Sequence, residues 1–304
     1  TGTSPCTSVI SNTVTVTVSS ASIGGNVSPL STVVCSSGNS GVLTLSGQNG
    51  NVVKWQSSPD NFVTPGNITD ITNINTTYTY NNLTTTTWFR AIVRSGVCAD
   101  SASASALVTV IPAPTVGTIS APAALLCNSG SMNITLTSSA NGVISWEVSS
   151  NNGSTFTAAT GSSNSLTYTI PTGTAAGVYI YRARVTGTSP CGSVVSNTVT
   201  VTVYQQPTIG TLSGPSLAVC NNANSGTLTL SSGTGNLVWE DNETSATYTG
   251  VWNTISGQTA LTYNFTNLTA TTYYRVRNVA TSPCVDAVSN VITVTVYPLP
   301  VANL

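Results

Sequence analysis

Residues 186–203 read TGTSPCGSVVSNTVTVTV, and residues 1–18 read TGTSPCTSVISNTVTVTV. Both segments close on a strict alternation of threonine and valine. In an extended chain that alternation puts the valines on one face and the threonines on the other, the signature of a β-strand. β-branched residues suit the pleated setting on both faces. The segment returns from Thr281 as TSPCVDAVSNVITVTV and, in a divergent form, from Val97 as VCADSASASALVTV.

Working outward from these copies, the cysteines set the period. Cys6, Cys35, Cys98, Cys127, Cys191, Cys220 and Cys284 are separated by 29, 63, 29, 64, 29 and 64 residues. Each copy runs into a proline-bearing joint: Pro112-Ala113-Pro114, Gln205-Gln206-Pro207 and Pro298-Leu299-Pro300. Repeats are accordingly expected at 19–111, 112–204 and 205–297. Residues 1–18 read as the C-terminal end of a preceding repeat and 298–304 as the start of a following one, so a window from a longer array is expected. Within a repeat, further strand candidates at 42–45, 52–56, 77–80 and 88–93 are punctuated by Gly, Asn, Ser and Pro, and no helical stripe appears. The predicted class is all-β: tandem immunoglobulin-like (fibronectin-III-like) β-sandwich repeats of about 93 residues.

Tryptophans mark the core. Trp55, Trp146 and Trp239 fall 20, 19 and 19 residues after Cys35, Cys127 and Cys220. That Cys…Trp…Cys order predicts an indole buried between two sheets rather than a sugar-stacking platform. A segment like a tyrosine corner follows, with copies starting at Asn82 and Asn267. On its outgoing strand Tyr274 and Val276 are expected to point inward, and Arg275 and Arg277 to share the solvent face. Trp239 inward implies Glu240 outward, and Trp146 inward implies Glu147 near Arg182 and Arg184. Six of the seven cations lie on this strand across the repeats, which predicts cross-strand ion pairs ahead of an anion receptor.

Composition narrows the chemistry. The 304 residues include 53 Thr and 42 Ser, no histidine, and seven Lys and Arg against eight Asp and Glu. Without histidine there is no imidazole base, no Ser-His or Cys-His pair and no His-ligated metal. A net charge of −1 gives no footprint for nucleic acid or anionic lipid. No apolar run is long enough to insert in a membrane. No CxxC occurs, and Asp241 with Glu243 beside Glu240 reads as a solvated loop rather than a calcium site. Lys54, next to inward Trp55, is not placed as a desolvated nucleophile. No enzyme, cofactor or metal is expected.

Segments such as VVKWQSSPDNF (52–62), TTYTYNNLTTTTWFRAIVRSGVC (76–98) and SNTVTVTV resemble the tandem immunoglobulin-like repeats of very large secreted surface proteins of Bacteroidota, among them gliding-motility adhesins exported by the type IX system. The resemblance covers essentially the whole chain. It implies a secreted or cell-surface, non-catalytic stalk or filament segment of an adhesin serving attachment or gliding. Implied partners are neighbouring repeats, surface glycans or other cells, and further copies in a filament.

Two cysteines per repeat at fixed spacing imply an oxidising compartment. The simplest pairing joins Cys35 with Cys98, Cys127 with Cys191 and Cys220 with Cys284, leaving Cys6 to an upstream cysteine. In a standard sandwich those turns lie at opposite ends, about 26 Å apart over an eight-residue strand. Either the Cys35 segment climbs alongside the last strand or bridges run between neighbouring repeats; pairing within repeats is the preferred expectation. Among Asn-x-Ser/Thr sequons and the tripeptide Asp100-Ser101-Ala102, Ser101 is the candidate for O-glycosylation. The alternative function is a carbohydrate- or protein-binding immunoglobulin-like module. Its candidate contacts are Trp252 and Tyr248, aromatics that the third repeat adds beside its acidic cluster.

Overall fold

A computed structural model describes residues 4–5, 7–214, 218–243 and 251–300. The chain divides into two compact units. One holds the residues up to Thr115 with Ala140–Val143 and Val185–Val194; the other holds Val116–Ser139, Ile144–Arg184 and the residues from Val195 onward. Secondary structure among the described residues is β throughout, apart from a single 3-10 turn at Pro65–Asn67.

The first unit contains the clearest copy of the sandwich. Its strands are β1 (Asn26–Ser28), β2 (Ser31–Cys35), β3 (Ser40–Ser46), β4 (Asn51–Ser58), β5 (Thr69–Ile71), β6 (Thr77–Asn81), β7 (Thr87–Arg94), β8 (Ser101–Ala102) and β9 (Ala106–Ile111). One sheet runs β1-β3-β6. The other runs β2-β9-β7-β4-β5, with β8 beside β7. The two inner faces close on Leu43, Leu45, Trp55, Tyr80, Phe89, Ala91, Val93 and Val108. In the second unit the same plan recurs, with three-stranded sheets built on Met132–Leu136 and Ser225–Leu230. These are tandem immunoglobulin-like β-sandwiches, each a small sheet facing a large one.

Trp55, Trp146 and Trp239 are fully buried in these cores. Each indole Nε1 donates to a main-chain carbonyl just before the strand opposite: Asn75 at 3.0 Å, Ser165 at 3.0 Å and Ala260 at 2.9 Å. The ring supplies apolar area while its polar edge finds a partner, so nothing polar is left unmet. Tyr78, Tyr168 and Tyr263 continue the stack with centroids 5.5–5.7 Å from the indoles.

The Ser-Asn of SNTVTVTV holds the sandwich together at the last strand. Ser103, Ser196 and Ser289 each accept a hydrogen bond at Oγ from a main-chain N–H of the preceding strand, at 2.9, 3.0 and 2.9 Å. Asn197 then clamps both main-chain groups of Ile119, and Asn290 those of Leu212, tying the first strand of the repeat to the last. In the first repeat Ala104 replaces this asparagine, and its N–H bonds the Gly25 carbonyl directly at 3.0 Å.

The corner differs from its sequence reading. In the first and third repeats it is held by amides: Asn39 and Asn224 each take the N–H and the carbonyl of Leu83 and Leu268 respectively. The residues before those leucines, Asn82 and Asn267, have φ of 49° and 53°. Asparagine tolerates this left-handed conformation better than other side chains. A tyrosine hydroxyl serves in the second repeat, where Tyr179 donates to the Ala175 carbonyl at 3.0 Å.

Residues 13–18, expected as a strand, form none, and Val14, Val16 and Val18 are more than 80 % exposed. The equivalent Val199–Tyr204 is ordered by pairing along Gly177–Gly187; among the described residues no strand stands beside 13–18 to satisfy its backbone in the same way.

Trp239→Ala is expected to cost about 3–5 kcal/mol, combining cavity and lost transfer energy, and to orphan the Ala260 carbonyl. Hydrogen exchange should accelerate across Thr272–Val279 while Thr87–Arg94 keeps its protection.

Candidate functional site

The residues that carry recurrent chemistry are the cysteines, and one register decides where they lie. β2 pairs in parallel with β9, setting Cys35 level with Ile111 at the end of the first repeat. Cys127 is level with Tyr204 in the same parallel pairing, and Cys220 with Tyr297. Cys98, Cys191 and Cys284 occupy the turn after the penultimate long strand, where the cysteine N–H bonds the carbonyl of Ser95, Thr188 and Thr281, at 3.0, 2.8 and 3.0 Å. β7 and β9 are antiparallel, so that turn and the cysteine of β2 lie at opposite ends of the sandwich.

The preferred pairing within repeats is therefore corrected. In the first unit Cys35 is bonded to Cys191, with Cα atoms 5.0 Å apart. In the second, Cys127 is bonded to Cys284, with Cα atoms 4.9 Å apart. The expected pairs of Cys35 with Cys98, Cys127 with Cys191, and Cys220 with Cys284 do not form. The Cys35 segment does climb alongside the last strand, but the parallel direction carries it away from Cys98 and toward the next repeat. Cys98 and Cys220 are free thiols, and Cys6 lies outside the described residues.

Polar contacts surround both bridges. Ser37 and Ser129 hydroxyls approach the sulfurs of Cys35 and Cys127 at 3.5 and 3.3 Å. In the second unit the Gln206 main-chain N–H donates to Asn128 Oδ1 at 2.8 Å, and its side-chain amide donates to the Val285 carbonyl at 2.7 Å. That side chain comes from the joint itself and stitches the end of one repeat to the cysteine turn of the next.

The charge pattern that recurs among the repeats forms a second feature. Glu147 accepts from Arg182 Nε and Arg184 Nε at 2.6 and 2.7 Å. Glu240 accepts from Arg275 and Arg277 at 2.7 and 2.9 Å, and Arg277 also bonds Asp286. The first repeat has Gln56 in place of the glutamate and a single arginine, Arg90, bonded to it at 2.8 Å. These outward positions are less solvated than expected, since the Glu240 side chain is only 5 % exposed. One arginine of each repeat also carries an aromatic ring: Phe62 against Arg90, Phe156 against Arg182 and Trp252 against Arg275, at 4.0, 3.8 and 4.2 Å from ring centroid to guanidinium carbon.

Trp252 is thus one of a series of cation–π lids, with a ring face already covered. Its proposed companion Tyr248 lies outside the described residues. Ser101 sits half-buried in β8 opposite Val93, and its neighbour Asp100 is paired with Arg94 at 2.5 Å. A cleft of about 400 Å³ in the second unit is lined by Gln205, Gln206, Pro207, Thr208, Thr234, Gly235 and residues 278–281. No acid, base or thiol lines it.

Burial opposes ionisation of Glu147, but the hydrogen bonds from Arg184 and Arg182 and their charges outweigh it, and its pKa falls below the ordinary 4.5. A carboxylate depressed in the folded state contributes stability that is complete above its unfolded value and disappears as pH drops through the lower folded value. Urea midpoints should decline below about pH 4, and Glu147→Gln should shrink that decline. Non-reducing peptide mapping should recover Cys35 joined to Cys191 and Cys127 joined to Cys284, with Cys98 and Cys220 open to alkylation. Recovery of Cys35 joined to Cys98 would overturn the register argument.

The sequence matches the family described as "Domain of unknown function (DUF8696)" three times, over residues 23–112, 115–205 and 208–298. The chain belongs to that family as a tandem array. No curated protein matches it. Among solved structures, one described as "Ca2+-stabilized adhesin helps an Antarctic bacterium reach out and bind ice" is 14 % identical at a TM-score of 0.34, over 92 % of this chain and 76 % of that one. The N-terminal eight Ig domains of Down Syndrome Cell Adhesion Molecule are 14 % identical at 0.45, over 90 % and 36 %. Murine CEACAM1b is 18 % identical at 0.33, over 59 % and 99 %.

Proposed function

We propose that this array of DUF8696 repeats is a non-catalytic, extracellular structural segment, a stalk or filament stretch, of a large bacterial cell-surface adhesin. The observation that carries the reading is the pair of bridges from one repeat to the next, Cys35–Cys191 and Cys127–Cys284. Disulfides at both junctions between the three full repeats suit an oxidising exterior, and a covalent link between successive domains serves a segment that must hold together rather than one that must turn over substrate. The composition agrees: solubility comes from 95 hydroxyl side chains of Ser and Thr, with only 5 % charged residues. Such a surface has little to attract nucleic acid or anionic lipid. The resemblance to Bacteroidota surface repeats adds type IX export and a part in attachment or gliding to the reading, with O-glycosylation at Ser101 as a further element of it.

A carbohydrate-binding role at Trp252 has less support, because the Arg275 guanidinium already covers one face of the ring. Antibodies against the chain should label intact cells expressing the full-length protein, and external protease should remove the label. Signal confined to lysed cells would overturn the placement.

A further inference from the structure

We propose that Cys98 and Cys220 are the two complementary open halves of one more bridge of the kind already closed twice, and that the ligand of each is the thiol at the opposite position of another DUF8696 repeat. Each half matches its bridged counterparts in detail. Cys220 ends a strand paired in parallel with the last strand, level with Tyr297, as Cys35 is level with Ile111 and Cys127 with Tyr204. Cys98 closes the same turn as Cys191 and Cys284. Its seat is also the same. Cys191 Sγ lies 3.6 Å from the carbonyls of Ile111 and Pro112, and Cys284 Sγ 3.6 Å from that of Tyr204. Cys98 Sγ lies 3.7 and 3.5 Å from the carbonyls of Ser19 and Ser20, the residues immediately before the first sandwich.

The chain thus carries a socket of one type at Cys98 and of the other at Cys220, and both are accessible. The two are not interchangeable. Every closed bridge joins a strand-end cysteine to a turn cysteine, so Cys220 should select a turn cysteine and Cys98 a strand-end one. The mate can come from a further repeat on the same polypeptide or from a second copy of this chain.

Closure is an ordinary thiol–disulfide exchange. A thiolate at Cys220 attacks a small-molecule disulfide such as oxidised glutathione, releasing one glutathione thiolate. The turn-cysteine thiolate of the other repeat then attacks the protein sulfur and releases the second. Two protein thiols lose two protons and two electrons, one S–S bond forms between them, and the glutathione disulfide is reduced to two thiols.

The test uses the full 304-residue chain in a Cys6→Ser background, which removes the cysteine that the repeated TSPC sequence aligns with Cys191 and Cys284. With oxidised glutathione, the chain should form disulfide-linked oligomers, and non-reducing mass spectrometry should recover Cys220 joined to Cys98 between molecules. Cys98→Ser alone and Cys220→Ser alone should each remain monomeric, whereas mixing the two should give dimers and nothing larger. A second arm appends, after residue 297, a further copy of residues 112–204 in which the cysteine equivalent to Cys127 is replaced by serine, so that no new strand-end thiol is added. Its added turn cysteine, equivalent to Cys191, should capture Cys220 within one molecule and block growth at that end. Intrachain capture without oligomers in the first arm supports the proposal with the same polypeptide as the source. Oligomers in the first arm support it with a second copy as a source. Monomers in the first arm and a free Cys220 in the second would overturn it. So would like-with-like links, Cys98 to Cys98 and Cys220 to Cys220, as abundant as the mixed one.

Discussion

The parallel pairing of a short second strand with the last strand of its own repeat is the constraint on which the rest of the arrangement depends. Antiparallel neighbours would have returned Cys35 toward the start of the sandwich. The parallel register takes it instead to the level of Ile111, where the chain leaves one repeat for the next. Once the strand-end cysteine stands at the exit, the nearest turn cysteine belongs to the following repeat. The bridge across the junction follows from strand direction, without any special feature of the cysteine itself. In the chain-entropy description, closing loops of 156 and 157 residues is worth about 5 kcal/mol each, and the overlap of the two loops keeps those contributions from simply adding.

Inside each sandwich the division of labour is equally local. The tryptophan fills the space between sheets, the serine of the last strand repairs the ladder where that strand breaks into two parts, and the asparagine after it holds the first strand. The second and third repeats use all three devices. The first lacks the asparagine and also lacks the glutamate fork, using Gln56 with Arg90 and an exposed pair of Lys54 with Asp70. The sandwich therefore tolerates exchange of its polar surface parts so long as the indole and the serine remain.

Much of this was legible in the sequence because it depends on short-range rules. Alternation gave the strands, the 93-residue period gave the copies, and the offset of one residue from Trp239 to Glu240 placed the carboxylate opposite Arg275 and Arg277. The covers on the arginines were not legible: Phe62, Phe156 and Trp252 differ in type and come from irregular segments with no common spacing signal. Residues 13–18 illustrate another limit. Their alternation is as regular as that of residues 198–203, yet a strand is a property of a pair, and periodicity names only one member. The cysteine connectivity failed for a related reason: spacing counts residues along the chain, while the bridge depends on the direction of β2 relative to β9.

The overlapping bridges also change what happens when the polypeptide is pulled from its ends. The loop begun at Cys35 has not closed at Cys191 before the loop from Cys127 to Cys284 has opened. Most of the contour length therefore sits behind sulfur–sulfur links, outside the shortest covalent path through the segment. If the first or third sandwich gives way under load, most of the backbone it releases lies off that path and is not paid out, whereas in the second repeat the stretch from Cys127 to Cys191 stays on it. Full lengthening requires chemical reduction as well as mechanical work, so the redox state of the surroundings sets the reach of the chain under tension.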